Sequence, residues 1–161
     1  MDAALMTTHS AIAFTHQAAS FEAGVEVARD LIKRLDQKPS FMMLYITIAH
    51  DAKKVIEGMQ TLLTDIPFCG CSSAGSINQY QADNASHSVN LMGIYSDLIQ
   101  FTPFLFNQLE KHPYQVGQQI ADTVNAIEIK PDENQLLILL PDGLTINANQ
   151  LNNGINDRIR K

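Results

Sequence analysis

Residues 68–77, FCGCSSAGSI, gather two cysteines, three serines and two glycines in ten positions. Such residue types could support several chemistries. A nucleophile elbow, G-x-S-x-G, holds a serine on a strained strand-to-helix turn. Here Gly70-Cys71-Ser72-Ser73-Ala74 carries Ala74 at the last place, and the polar run that follows does not read as a helix. A base could come from His87 or His112 and an orienting carboxylate from Asp97, but no spacing fixes them together. Gly70 and Gly75 have the separation of a phosphate loop, yet Ser76 stands where that loop needs its lysine. Cys69-x-Cys71 offers two soft ligands where structural zinc takes four. The five histidines (His9, His16, His50, His87, His112) show no three- or four-residue pairing. Cys69 reads as a small buried apolar residue. A reactive thiolate at Cys71 needs a nearby cation or helix N-terminus, and no Lys or Arg is near it in sequence.

Set beside these is a plainer property of the stretch. Gly70, Cys71, Ser72, Ser73, Ala74 and Gly75 are all small. Small side chains let a ligand reach the backbone, where N–H groups and hydroxyls can fix it. Close packing of a strand end against a neighbouring element explains the same composition. Two further candidates join them. His50 with Asp51 closes an apolar run, at the carboxyl end of a strand where open α/β sheets bind ligands. Asp51 also serves as a helix cap there. Asp142-Gly143 makes a turn after another apolar run and could edge the same pocket.

The elements that must position these residues alternate between periods of 2 and 3.6, which predicts an α/β fold, layered, with a mixed sheet and helices packed on it. Strands are expected at 8–15, 41–48, 68–71, 88–95, 98–106 and 135–140. The fourth and fifth flank Ser96-Asp97 and read as an antiparallel hairpin. Helices are expected from a Ser20 cap to Asp36, after Asp51 up to Pro67, over 114–127 and over 147–161. The first carries a stripe of Phe21, Val25, Ala28, Leu31, Ile32 and Leu35. Pro131-Asp132 opens a turn, 76–87 reads as a polar loop, and no internal repeat is evident.

The chain has 161 residues, 45% apolar, with 11 Lys plus Arg against 17 Asp plus Glu, for a net charge of −6. Length and composition fit a single domain over 1–161. The acidic balance disfavours nucleic acid, since only Arg158, Arg160 and Lys161 cluster. No run reaches the roughly 20 apolar residues of a membrane helix. The N-terminus MDAALMTTHS lacks a basic, then apolar, leader. These features predict a cytoplasmic protein with no resident cofactor or metal.

IPFCGCSSAGSI resembles the hallmark of the FIST sensory domain's N-terminal part. So do the early helix Ser20–Leu35 with Gly24, the run FMMLYITIAHD, and LILLPDGLTINANQLNNGIND. The resemblance spans about residues 8–157. It implies a signal-input domain that binds a small ligand, such as an amino acid or related metabolite, through residues 70–75, and it implies no enzyme activity. It also implies a separate output partner, such as a histidine kinase or cyclic-dinucleotide enzyme. Some relatives bind haem, so a haem-based gas sensor is one alternative. A serine or cysteine hydrolase using Ser72 or Cys71 is another. The chain ends before the family's Gly-rich strand, and the open sheet edge this leaves predicts pairing into a homodimer.

Overall fold

The structure is a computed structural model that describes residues 7–80, 82–130, 132–143 and 145–160. The stretch 1–6, Pro131 of the expected turn, Leu144, and Lys161 among the C-terminal cations lie outside them. The chain divides into two compact units, Met1–Pro103 and Phe104–Lys161.

The first unit is layered α/β. Its order is β1 (Thr8–Thr15), α1 (Ser20–Leu35), β2 (Phe41–Thr47), α2 (Ala52–Gln60), β3 (Phe68–Ser73), β4 (Ser76–Ile77), β5 (Ala82–Asp83) and β6 (Val89–Ser96). Four strands form a mixed sheet in the order β1-β6-β2-β3. β6 runs antiparallel to both β1 and β2, and β2 runs parallel to β3. β4 and β5 form a separate two-stranded ribbon within the expected polar loop.

Alternation along the strands decides which face is covered. Met42, Leu44 and Ile46 of β2, Val89 and Leu91 of β6 and Ala13 of β1 share one core with Ala23, Val27, Ala28 and Leu31 of α1 and Val55 and Met59 of α2. On the opposite face Phe41 stacks on Phe101, with ring centroids 4.8 Å apart. The apolar stripe read for α1 is rotated in part. Phe21 and Ile32 are exposed, and Ala23, Gly24 and Val27 are buried instead. Small residues face inward because α1 lies close to α2. A Cβ on Gly24 would strike the carbonyl oxygen of Val55, and one on Gly58 that of Phe21.

The second unit holds α3 (Pro113–Asn125) and α4 (Ala148–Asn156). Val116, Ile120 and Val124 pack on Leu151 and Ile155, with Phe106, Leu109, Leu139, Ile146 and Ile159 at the margin. A Cβ on Gly117 would strike the carbonyl of Leu151, and one on Gly154 that of Tyr114.

This second helix pair repeats the first position by position, which corrects the expectation that the chain has no internal repeat. Gly24 and Gly117 are each the fifth residue of their helix, and Gly58 and Gly154 each the seventh. Helix positions 4, 5, 8, 9 and 12 are buried in both α1 and α3: Ala23, Gly24, Val27, Ala28, Leu31 against Val116, Gly117, Ile120, Ala121, Val124. Positions 4, 7 and 8 are buried in both α2 and α4: Val55, Gly58, Met59 against Leu151, Gly154, Ile155. Even the N-caps match, since Asp51 accepts from Lys54 N–H at 3.3 Å and Asn147 from Gln150 N–H at 3.1 Å, each three residues on.

Two expected strands do not form. Residues 98–106 and 135–140 have no ladder partner among the described residues. An apolar run becomes a strand only when another backbone satisfies its N–H and C=O groups. The expected hairpin is therefore absent, and the sheet is mixed because β6 returns between β1 and β2.

Candidate functional site

β3 extends through Ser73, two residues further than its apolar pattern suggests. Gly70, Cys71, Ser72 and Ser73 are thus edge-strand residues, and only Ala74 and Gly75 form the connection to β4. Gly70 faces Leu44 across the parallel ladder, and a Cβ there would run into the Leu44 carbonyl oxygen. The space beside Gly70 is therefore filled by backbone, which accounts for this glycine by packing. Cys71 and Ser72 are exposed. Cys69 is half-buried, and burial, then the neighbouring Cys71, pushes its thiol up from the ordinary value. Among the described residues no hydrogen bond joins Ser72 or Cys71 to a histidine.

The polar chemistry of this unit concentrates at the carboxyl ends of β2 and β3. Thr47 ends β2 opposite Ser73 in the ladder. Its hydroxyl, 2% exposed at the residue level, donates to the Ser86 carbonyl at 2.7 Å and accepts from Ser88 N–H at 2.7 Å. Asn90 donates to Ser76 Oγ at 2.7 Å and Ser88 Oγ at 3.1 Å, and accepts from Asn78 at 2.8 Å. One turn past Thr47, His50 donates its N–H to the Thr47 carbonyl at 3.1 Å. His50 and Ser73 are therefore both tied to Thr47, one through the chain and one through the ladder.

His50 is 8% exposed. Its Nδ1 lies 3.2 Å from Ser20 Oγ, and that hydroxyl accepts from Asp51 N–H at 3.1 Å. The hydroxyl has one proton and two lone pairs, so the pair holds in either tautomer; with the hydroxyl donating to Nδ1, the ring proton sits on Nε2. Burial, then the His87 ring edge-on at 5.3 Å, holds the imidazole below its ordinary 6.5, so the neutral form persists. Nε2 is enclosed and has no hydrogen-bond partner, and the same holds for Ser73 Oγ. Enclosed polar atoms are normally paired, so two orphans at the ends of neighbouring strands β2 and β3 are informative.

Ser20 is not the helix cap that its place before the apolar stripe suggests. The cap is Ala19, and Ser20 is the first helical residue, its hydroxyl spent on His50 and Asp51. Sequence reasoning missed this role, along with those of Thr47, Ser88 and Asn90. At the positions matching Ser20 and His50, the second unit carries Pro113 and Ile146. The hydroxyl–imidazole pair is thus not a requirement of the helix crossing. Asp142 belongs to the second unit, where its carboxylate accepts from Thr145 Oγ1 at 2.9 Å.

Two open clefts lie on the first unit. One of about 440 Å³ is lined by Ser20, Glu22, Asp51, Lys54 and Glu57 among others, at the start of α1 and α2. The other, about 530 Å³, lies at the far ends of the same helices. Neither takes a side chain from residues 70–75, and neither is lined by a histidine, cysteine, methionine or tyrosine that could ligate haem iron. The residues of these clefts do not fit a haem. Among the described residues no three His, Cys, Asp or Glu side chains come together as a metal site. No described helix is long and apolar enough to cross a membrane.

Fold and site together define a mixed α/β domain with a cluster of polar side chains at the carboxyl ends of a parallel strand pair. The FIST N domain family matches residues 40–161, and the chain belongs to that family, which is one of sensory domains. The match begins at β2 and leaves β1 and α1, with Ser20, outside it. No curated protein matches the chain.

Proposed function

We propose that the chain is a small-ligand input domain whose site lies at the adjoining carboxyl ends of β2 and β3, with His50, Ser73 and the Ala74-Gly75 connection. The observation that carries this reading is the pair of enclosed, unpartnered atoms, His50 Nε2 and Ser73 Oγ, one after β2 and one ending its neighbour β3. A neutral imidazole N–H and a hydroxyl there suit an oxygen acceptor, such as the carboxylate of an amino acid or related metabolite. The acidic cleft beside Ser20 suits the amino group of such a molecule. A sensory family and a site built for hydrogen bonding rather than bond breaking both support recognition over catalysis. Any signal then passes to a separate output protein, such as a histidine kinase or a cyclic-dinucleotide enzyme.

A thermal-shift screen of amino acids, organic acids and haem tests the reading. A ligand at a hundredfold excess over its Kd adds about 2.7 kcal/mol of stability. The expected result is a shift with an amino or organic acid that is lost in His50→Gln and Ser73→Ala. A shift that survives both changes removes the site. Faster labelling of Ser72 by a fluorophosphonate, or of Cys71 by iodoacetamide, than of a free hydroxyl or thiol favours a hydrolase instead.

A further inference from the structure

The sheet of the first unit has a second face, and sulfur collects on it. Met42, Leu44 and Ile46 of β2 enter the core under α1 and α2, so Met43 and Tyr45 turn to the opposite side. Residues paired across a ladder share a face. Met43 pairs with Cys69 of β3, and Tyr45 with Cys71. Phe68 packs on the helix-side core, which sets Cys69, and Cys71 two residues on, with Met43 on the other face. Met92 of β6 pairs with Met43 from its far flank and continues the row. Four sulfur-bearing side chains from three strands thus share one face. The electrostatics agree with this placement. Burial, then Cys71, then Cys69, pushes the Tyr45 phenol up, and burial, then Cys71, does the same to the Cys69 thiol. β3 is an edge strand of the sheet, Cys71 is exposed, and Cys69, Met43 and Met92 are half-buried, so the group opens to solvent.

We propose that Cys69, Cys71 and Met43 bind one cuprous ion at this sheet edge, with Met92 as the next sulfur inward. Thiolate and thioether ligands select Cu(I), whereas structural zinc takes four ligands that are thiolate, imidazole or carboxylate. Methionine fills gaps in cores by habit, which explains Met92 alone but not an exposed thiol aligned with a second thiol and a thioether. Strand geometry keeps the two thiols for an ion rather than for each other. Residues two apart along a strand are separated by about 6.6 Å, and a disulfide wants its Cβ atoms within about 4.5 Å. The neighbouring strand lies about 4.8 Å away, which brings the Met43 thioether alongside Cys69. Tyr45 stays a neutral phenol, so it adds no hard anion to the set. Each thiol gives its proton to solvent as it binds, so two protons leave when one Cu(I) enters and retention tightens with rising pH. The site uses neither His50 nor Ser73 and is independent of small-ligand recognition there.

Titration of the fully reduced chain with Cu(I), without oxygen and with bicinchoninate as the competing chelator, tests this. The expected result is one Cu(I) per chain withheld from the chelator, more tightly at higher pH, while Zn(II) is surrendered to a zinc indicator. Cys71→Ser, at an exposed position, should release the ion. Met43→Leu keeps volume and apolar character and should weaken retention by about tenfold or more, equivalent to about 1.4 kcal/mol. Circular dichroism confirms that both variants are folded. Three results overturn the proposal. One is a chelator that strips all copper from the parent. Another is copper held by either variant as tightly as by the parent. The third is one ion for every two chains, which makes it a bridge between copies.

Discussion

At the scale of single residues, Gly70 and Gly143 separate packing from turn chemistry. Gly70 faces the Leu44 carbonyl with no room for a methyl group, whereas Gly143 has open space around the site of a Cβ. Gly70→Ala should therefore cost about 1–3 kcal/mol by overpacking, and Gly143→Ala should stay within about 0.5 kcal/mol of the parent. Urea midpoints of the two variants check both. His50 supplies a pH dependence. Its folded value lies below the ordinary 6.5, so between those two values the unfolded chain holds a proton that the folded chain does not. Its contribution to stability is complete above pH 6.5 and is lost as the pH falls through the folded value. Midpoints measured from pH 7.5 to 5 should fall in the parent and fall less steeply in His50→Gln. His50 was legible as a candidate from its place after an apolar run. Its partner Ser20 was not, because thirty residues of chain separate them and a serine before a helix already has an ordinary explanation as a cap.

At the scale of elements, helix crossings rest on paired glycines. Ala is the better helix former by about 1 kcal/mol. Even so, Gly24→Ala and Gly117→Ala should each lower stability by a net amount within about 1–3 kcal/mol, because the new methyl meets the carbonyl of Val55 or Leu151. Helical circular dichroism against urea measures this. A gain in stability in either variant would mean that the helices separate at little cost. The strand pattern was legible where a ladder exists. β1 occupies the expected residues, and β2 falls one residue short of its expected span. Hydrophobic period was misleading at 98–106 and 135–140, since it reports which residues seek cover and not whether a partner backbone is there to pair with. It was also too weak at Ser72-Ser73, where parallel pairing with Ile46 and Thr47 carries the strand past its apolar end. The repeat escaped notice because few identities survive between the two halves. What they share is burial at matched helix positions and two glycines, which become visible once the contacts are known.

For the whole molecule, the two units differ in how much they bury. Among the described residues the first draws its core from fourteen buried residues on both layers, and the second from five on two helices. Opening free energy follows buried apolar contact, so stability is uneven along the chain. Amides of α3 and α4 should exchange before those of β2 and β6 in native-state exchange. The reverse order would show that the smaller core is held by something beyond its own packing.

The central place of β6 also bears on synthesis. β1 and β2 leave the ribosome early, but neither has its antiparallel neighbour until a strand beginning 42 residues after β2 ends (89 − 47) has followed them. At roughly 5–20 residues per second, that is an interval of about 2–8 s. Throughout it FMMLYIT is an apolar strand former with its inner neighbour still unmade, and a chaperone that grips extended apolar chain has that window in which to act.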